Sequence, residues 1–163
     1  MGMNPKTYED IINLNPWITN PKTYKPRLAG LLPKHFIPRI QGPVPDSDGP
    51  SAKLIVGPRQ SGKTSLVWSI LKDRPPQSVL FLNGEERVVR MWANSAGLMA
   101  ANIREAFPEV TTLFFDEAQH IEDAGLLIKG LIDSGHGFDV WVTGSSAFHL
   151  MDKTREIIAS VPR

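Results

Sequence analysis

The residues best placed to do chemistry are Gly57-Pro58-Arg59-Gln60-Ser61-Gly62-Lys63-Thr64, which follow the apolar run Leu54-Ile55-Val56. This is the pattern G-x-x-x-x-G-K-[ST], and its chemistry is the holding of a triphosphate. Closely spaced anionic oxygens are met by successive inward-facing backbone N–H groups and by the positive end of a helix. Gly57 and Gly62 can take backbone angles that would strain a residue with a side chain. Lys63 can place its ammonium between the β- and γ-phosphates, and the Thr64 hydroxyl can ligate Mg²⁺. The nucleotide cradle expected from this stretch is Gly57, Pro58, Arg59, Gln60, Ser61, Gly62, Lys63, Thr64 and Ser65.

Two further groups fit the same chemistry. Leu113-Phe114-Phe115 delivers Asp116 and Glu117 at the end of an apolar strand, which such a fold needs beside its first strand. Asp116 would hold Mg²⁺ through its water shell, and Glu117 would orient and deprotonate an attacking water. Val142-Thr143-Gly144-Ser145-Ser146 ends another strand. A polar residue here could reach between the metal-binding strand and the γ-phosphate and sense its presence. Ser145 is the first choice for that role and Thr143 the second.

The elements that must position these residues alternate from Ala52 onward. Strands are expected at Lys53–Val56, Ser78–Leu82, Thr111–Phe115 and Phe138–Thr143. Helices are expected from Thr64 to about Asp73, at Glu85–Trp92, at Ser95–Phe107 with Ser95 as N-cap, and from Ile121 to about Ser134, closed by Gly135. Short helices are expected at Ser146–Met151 and Thr154–Val161. Strands alternating with helices of this length imply a parallel sheet covered on both faces.

Residues 1–50 read as a Pro-rich arm, holding nine of the fourteen prolines. The arm should be mostly irregular with short helical pieces. Leu28 to Ile40 carries apolar residues at roughly helical spacing and should pack on the core, and Gly42 to Pro50 is a loop. Asn4-Pro5-Lys6-Thr7-Tyr8 recurs as Asn20-Pro21-Lys22-Thr23-Tyr24. The favoured reading is a reused turn that Asn-Pro starts and Tyr anchors, rather than a duplicated docking motif.

Composition narrows the classes. A 163-residue chain that is 41% hydrophobic and 21% charged suits one globular domain with a sizeable core. With no cysteine, disulfides and thiolate metal sites are excluded. A net charge of +1 argues neither for nor against nucleic acid. The chain has no apolar run of about 18 residues and no signal-peptide layout at its start, so the reading is cytoplasmic, with no membrane partner. His35, His120, His136 and His149 show no metal-ligand spacing. Trp17, Trp68, Trp92 and Trp141 suit packing better than a base-stacking platform.

Gly-Pro-Arg-Gln-Ser-Gly-Lys-Thr-Ser-Leu, Phe-Phe-Asp-Glu-Ala-Gln-His-Ile and Val-Thr-Gly-Ser-Ser-Ala-Phe together resemble three landmarks of prokaryotic predicted ATPases of the AAA+ superfamily. The resemblance covers about residues 52–163. It implies a three-layer P-loop NTPase of α/β class, with a parallel sheet flanked by helices and ATP or ADP with Mg²⁺ as ligands. It further implies phosphate and Mg²⁺ binding by Lys63 and Thr64, a Walker B pair of Asp116 and Glu117, and Ser145 or Ser146 at sensor 1. Members commonly run from this point into a Gly-Arg, whereas here Pro162 precedes Arg163. Arg163 and Arg155 are then the arginine-finger candidates. Against the family's five strands and helical lid, four strands and no lid are counted in residues 51–163. The expectation is therefore a core truncated before the fifth strand and lid.

The resulting expectation is an ATP·Mg²⁺-hydrolysing domain that drives conformational change in a partner domain or neighbouring subunit. A non-hydrolysing nucleotide-dependent assembly module and a DNA-translocating motor of phage packaging type are the alternatives. The short interval from Thr64 to Asp116 and the Thr-Gly-Ser-Ser segment argue against the motor. A homo-oligomer, a missing C-terminal domain and nucleic acid stay open as partners.

Overall fold

Among the described residues five strands form one sheet: β1 (Ser51–Gly57), β2 (Val79–Asn83), β3 (Thr112–Asp116), β4 (Asp139–Ser145) and β5 (Glu156–Ser160). Their order is β2-β3-β4-β1-β5 and every pairing is parallel. The computed structural model describes residues 2–32 and 51–145, with the backbone of residues 156–160. Helices α1 (Pro5–Leu14), α2 (Tyr24–Leu31), α3 (Lys63–Leu71), α4 (Arg87–Trp92), α5 (Ala96–Ala106) and α6 (Ala124–Asp133) complete these segments. The alternating α/β reading holds, with boundaries displaced by a few residues. Ser95 is the N-cap of α5, its hydroxyl accepting the Leu98 N–H at 3.4 Å.

Strand alternation builds two cores, because successive side chains leave opposite faces of a strand. Leu54, Leu80, Leu82, Leu113, Phe115, Val140 and Val142 meet α5 and α6 on one face. Ile55, Val79, Phe81, Phe114 and Trp141 meet α3 and the arm on the other. The same period puts Asp116 on the face of Phe114 and Thr143 on the face of Trp141. Both acceptor and hydroxyl thus turn toward α3.

Three expectations are corrected. Glu156–Ser160 is strand β5 rather than part of a helix over Thr154–Val161, so β1–β4 gain a fifth strand and the sheet does not stop short of one. The β-branched pair Ile157-Ile158 suits a strand, and the edge of β1 supplies the partner a short isolated helix would lack. Second, β3 does not lie beside β1, because β4 separates them. Third, residues 2–32 are largely helical. Pro5, Pro16 and Pro21 each open a helical segment, and Pro26 lies in the first turn of α2. There a missing N–H costs nothing, so the prolines start helices instead of breaking them. The expectations for 33–50, Ser146–Met151, Arg155 and Arg163 lie outside the described residues.

The arm folds over the edge of β2. Ile11 of α1 is buried in one core, while Trp17, Tyr24 and Leu28 are buried in the other. At the crossing, Asn15 acts as a one-residue strand. Its Nδ2 donates to Phe81 O at 2.9 Å, and its Oδ1 accepts the Phe81 N–H at 2.6 Å. Trp17 Nε1 donates to Val79 O at 2.9 Å. An otherwise open sheet edge is thereby satisfied by side chains. The repeated Asn-Pro-Lys-Thr-Tyr opens a helical segment each time, and each tyrosine anchors. Tyr8 stacks on Phe107 at 5.5 Å, and the buried Tyr24 donates its hydroxyl to Leu71 O at 2.7 Å.

At the opposite end of the strands from Asp116 lies a charged network. Asp139 accepts from Lys53 at 2.6 Å, from Arg74 at 2.7 Å and from the Trp141 indole at 3.0 Å. Burial acts to raise the Asp139 carboxyl, but the hydrogen bonds from Lys53, Arg74 and Trp141 outweigh it and hold the group below its ordinary value. A depressed folded value means the network stabilises fully above the unfolded value. That stabilisation is lost as pH falls below about 4. Asp139→Asn should therefore lower stability near neutrality by about 3 kcal/mol. Urea melts of the two proteins should converge as pH drops below about 4.

Among the described residues, no helix is long and apolar enough to cross a membrane.

Candidate functional site

The site forms where β1, β3 and β4 end. β1 stops at Gly57, and the loop to α3 passes through Gln60 (φ 58°) and Gly62 (φ 83°). These left-handed residues turn the chain so that α3 begins directly over the strand ends. Lys63, 4% exposed, folds back across the loop, its Nζ donating to Gly57 O at 3.0 Å and Pro58 O at 2.7 Å. Ser61 Oγ donates to Pro58 O at 2.7 Å. Burial pulls the Lys63 ammonium below its ordinary pKa, with Glu117 and Asp116 acting in the opposite sense.

Asp116 collects two hydroxyl donors on one oxygen. Thr64 Oγ1 donates to its Oδ1 at 2.7 Å and Thr143 Oγ1 at 2.5 Å. Thr143, fully buried, also accepts the Glu117 N–H at 3.0 Å. One side chain on β4 therefore fixes the carboxylate of the first acid and the backbone of the second. Burial pushes the Asp116 carboxyl above its ordinary value, and the Thr143 and Thr64 hydroxyls work against that rise. Thr64 of α3 thus reaches β3 directly, past the intervening strand β4, which adds its own hydroxyl from Thr143 to the same oxygen.

Glu117 leaves β3 in a left-handed conformation, φ 51°. Non-glycine residues hold that conformation only where surroundings enforce it. Two contacts do so. Besides the Thr143 bond, Gly84 packs beneath the turn and donates its N–H to Asp116 O at 2.7 Å. A Cβ on Gly84 would lie 2.4 Å from Glu117 O, so only glycine fits this approach. The Glu117 carboxylate accepts a hydrogen bond from Gln119 Nε2, and Gln119 Oε1 accepts the Ser145 N–H at 3.4 Å.

Of the expected residues, the structure brings Gly57, Lys63, Thr64, Asp116 and Glu117 together with both Thr143 and Ser145. Thr143, the second choice at the end of β4, has its hydroxyl on the acids, whereas Ser145 reaches Gln119 through its backbone. Arg59 is exposed, 3.9 Å from the exposed Glu85. Gln119 and Gly84 went unread. Gln119 lies inside the quoted Phe-Phe-Asp-Glu-Ala-Gln stretch, but nothing in its spacing announces a contact. Gly84 follows β2 as an ordinary turn glycine would.

A family model described as an AAA domain matches residues 50–160, more than half of the chain. The chain belongs to the AAA domain family. No curated protein matches it in sequence. As an AAA domain it is a nucleotide-binding module of ATPase type on a P-loop fold, and the match spans β1 to β5. Such domains usually take nucleotide with Mg²⁺. A hydroxyl and a carboxylate meeting at the loop, Thr64 and Asp116, are hard oxygen donors of the kind that ion prefers. Among the described residues no three His, Asp or Glu side chains group as a metal site. A cation held by Thr64 and Asp116 would take few protein ligands, the usual pattern for nucleotide-bound Mg²⁺.

Proposed function

We propose that this AAA domain binds ATP·Mg²⁺ and hydrolyses it, passing the resulting change of shape to a partner domain or neighbouring subunit. The observation that carries the reading is the convergence on Asp116. A hydroxyl from the phosphate loop helix and a hydroxyl from β4 share one carboxylate oxygen, and Glu117 follows directly. Phosphate would sit on the N–H groups of residues 57–65 and the start of α3. Lys63, released from the carbonyls of Gly57 and Pro58, would offset charge on the β- and γ-phosphates. Thr64 and Asp116 would hold Mg²⁺, which supplies further charge compensation. Glu117 would take the proton from the attacking water, a role worth about 10²- to 10⁴-fold.

Nucleotide binding by calorimetry, with phosphate release followed in the same samples, tests this. Lys63→Ala should weaken ATP binding about 10- to 100-fold, because a charge-assisted contact is lost. Glu117→Gln should keep binding within about threefold while release falls at least about 100-fold. Parental release from Glu117→Gln would remove Glu117 from the base role and favour a module that binds without hydrolysing.

A further inference from the structure

Gln119 occupies the short helical turn Ala118–His120 that follows Glu117. Both ends of its amide are used. The Nε2 donates to Glu117 Oε2, and the Oε1 accepts the Ser145 N–H. Among the described residues it is the only side chain that hydrogen-bonds the Glu117 carboxylate. The turn after β3 is therefore tied to β4 at two points two residues apart. Thr143 holds the Glu117 backbone, and Gln119 joins the Glu117 carboxylate to the Ser145 amide. Backbone alone would leave the carboxylate of a three-torsion side chain free to rotate, and the amide removes that freedom.

We infer that Gln119 is the positioning residue for Glu117, setting where its carboxylate points and coupling it to the end of β4. Displacement of Ser145 then reaches Glu117 through one side chain. Loss of the amide leaves phosphate contacts intact but lets the carboxylate wander from the attacking water. The catalytic consequence rests on the hydrolytic reading above; the hydrogen bond itself does not.

The test has two readouts. Gln119→Met keeps the length without either hydrogen bond. Gln119→Glu keeps an acceptor for Ser145 but sets a carboxylate against Glu117. Both should lower kcat for phosphate release about 10- to 100-fold, since small misplacements at a reacting centre have effects of that size. The calorimetric Kd for ATP should stay within about threefold in both variants. Parental kcat, or a kcat loss matched by an equal loss of affinity, overturns the inference. In the nucleotide-free protein, the Gln119 side-chain amide signals are assigned by their disappearance from Gln119→Met in a ¹H–¹⁵N spectrum. They should move in Glu117→Ala. Unmoved signals overturn the inference even if the chain hydrolyses ATP. A parent that binds ATP without releasing phosphate defeats the hydrolytic reading instead, and the same spectrum still decides whether Gln119 holds Glu117.

Discussion

Replacing Trp17 with alanine should lower the unfolding free energy by about 3–5 kcal/mol, a large share of the roughly 5–15 kcal/mol typical of a domain. Trp17 is 1% exposed and stands edge-on to Tyr24 at 5.4 Å and to Trp68 at 5.8 Å. Trp68 in turn packs on Phe81 at 5.2 Å and Phe114 at 5.1 Å, so the arm reaches the central sheet through one continuous aromatic cluster. Alanine removes that payload and the indole donor to Val79 O, leaving a cavity between arm and sheet. It also loosens the cover over β2, whose backbone groups can then pair with another chain. Urea unfolding followed by circular dichroism should show the midpoint fall, with concentration-dependent association above it. Trp17→Phe, which keeps the ring but not the N–H, should cost about 1–2 kcal/mol. A loss under about 1 kcal/mol in Trp17→Ala would mean that the arm is an appendage rather than part of the core.

Thr143→Val should leave the fold standing and strip the site of its bridge. Valine matches the shape but loses the hydroxyl that donates to Asp116 and accepts from Glu117 N–H. Two buried polar groups each lose a partner, which corresponds to about 1–3 kcal/mol of stability. The functional effect should exceed the structural one. Asp116 would keep only Thr64 as hydroxyl donor, so its carboxyl would rise further above the ordinary range. Glu117 would lose one of the two contacts that enforce its left-handed turn. Phosphate release should fall about 10- to 100-fold while ADP affinity, set mainly by the loop, changes by less than about fivefold. Thr143→Ser, which restores the hydroxyl, should recover most of the rate. Equal rates for Val and Ser would leave Thr143 as core packing alone.

The phosphate loop was legible because its chemistry is local. Two glycines, a lysine and a threonine within eight residues define both a backbone path and a charge, and a strand must lead in as a helix leads out. Asp116 and Glu117 were legible for a similar reason, as acids at the end of an apolar strand. The parallel α/β class followed from the alternation of short apolar runs with amphipathic segments. In each case the signal lies within one element or in elements that follow one another along the chain, where side-chain period and burial are coupled.

Strand order, by contrast, belongs to no single segment. Nothing within Thr112–Asp116 or Asp139–Ser145 states that β4 lies between β1 and β3, yet that placement makes Thr143 the residue shared by both acids. Proline content misread the arm because a proline's effect depends on its position in a turn, and helix starts tolerate what helix interiors do not. The fate of Glu156–Ser160 depended on β1 offering an edge, and the role of Asn15 on β2 lying at the end of the sheet among the described residues. The sequence by itself determined which residues can meet a phosphate and that they sit at strand ends of an α/β sheet. The tertiary structure alone decided which hydroxyl touches the acids, which residues of β4 hold the turn at Glu117 and how the sheet's edge is covered, because those contacts join residues far apart in the chain.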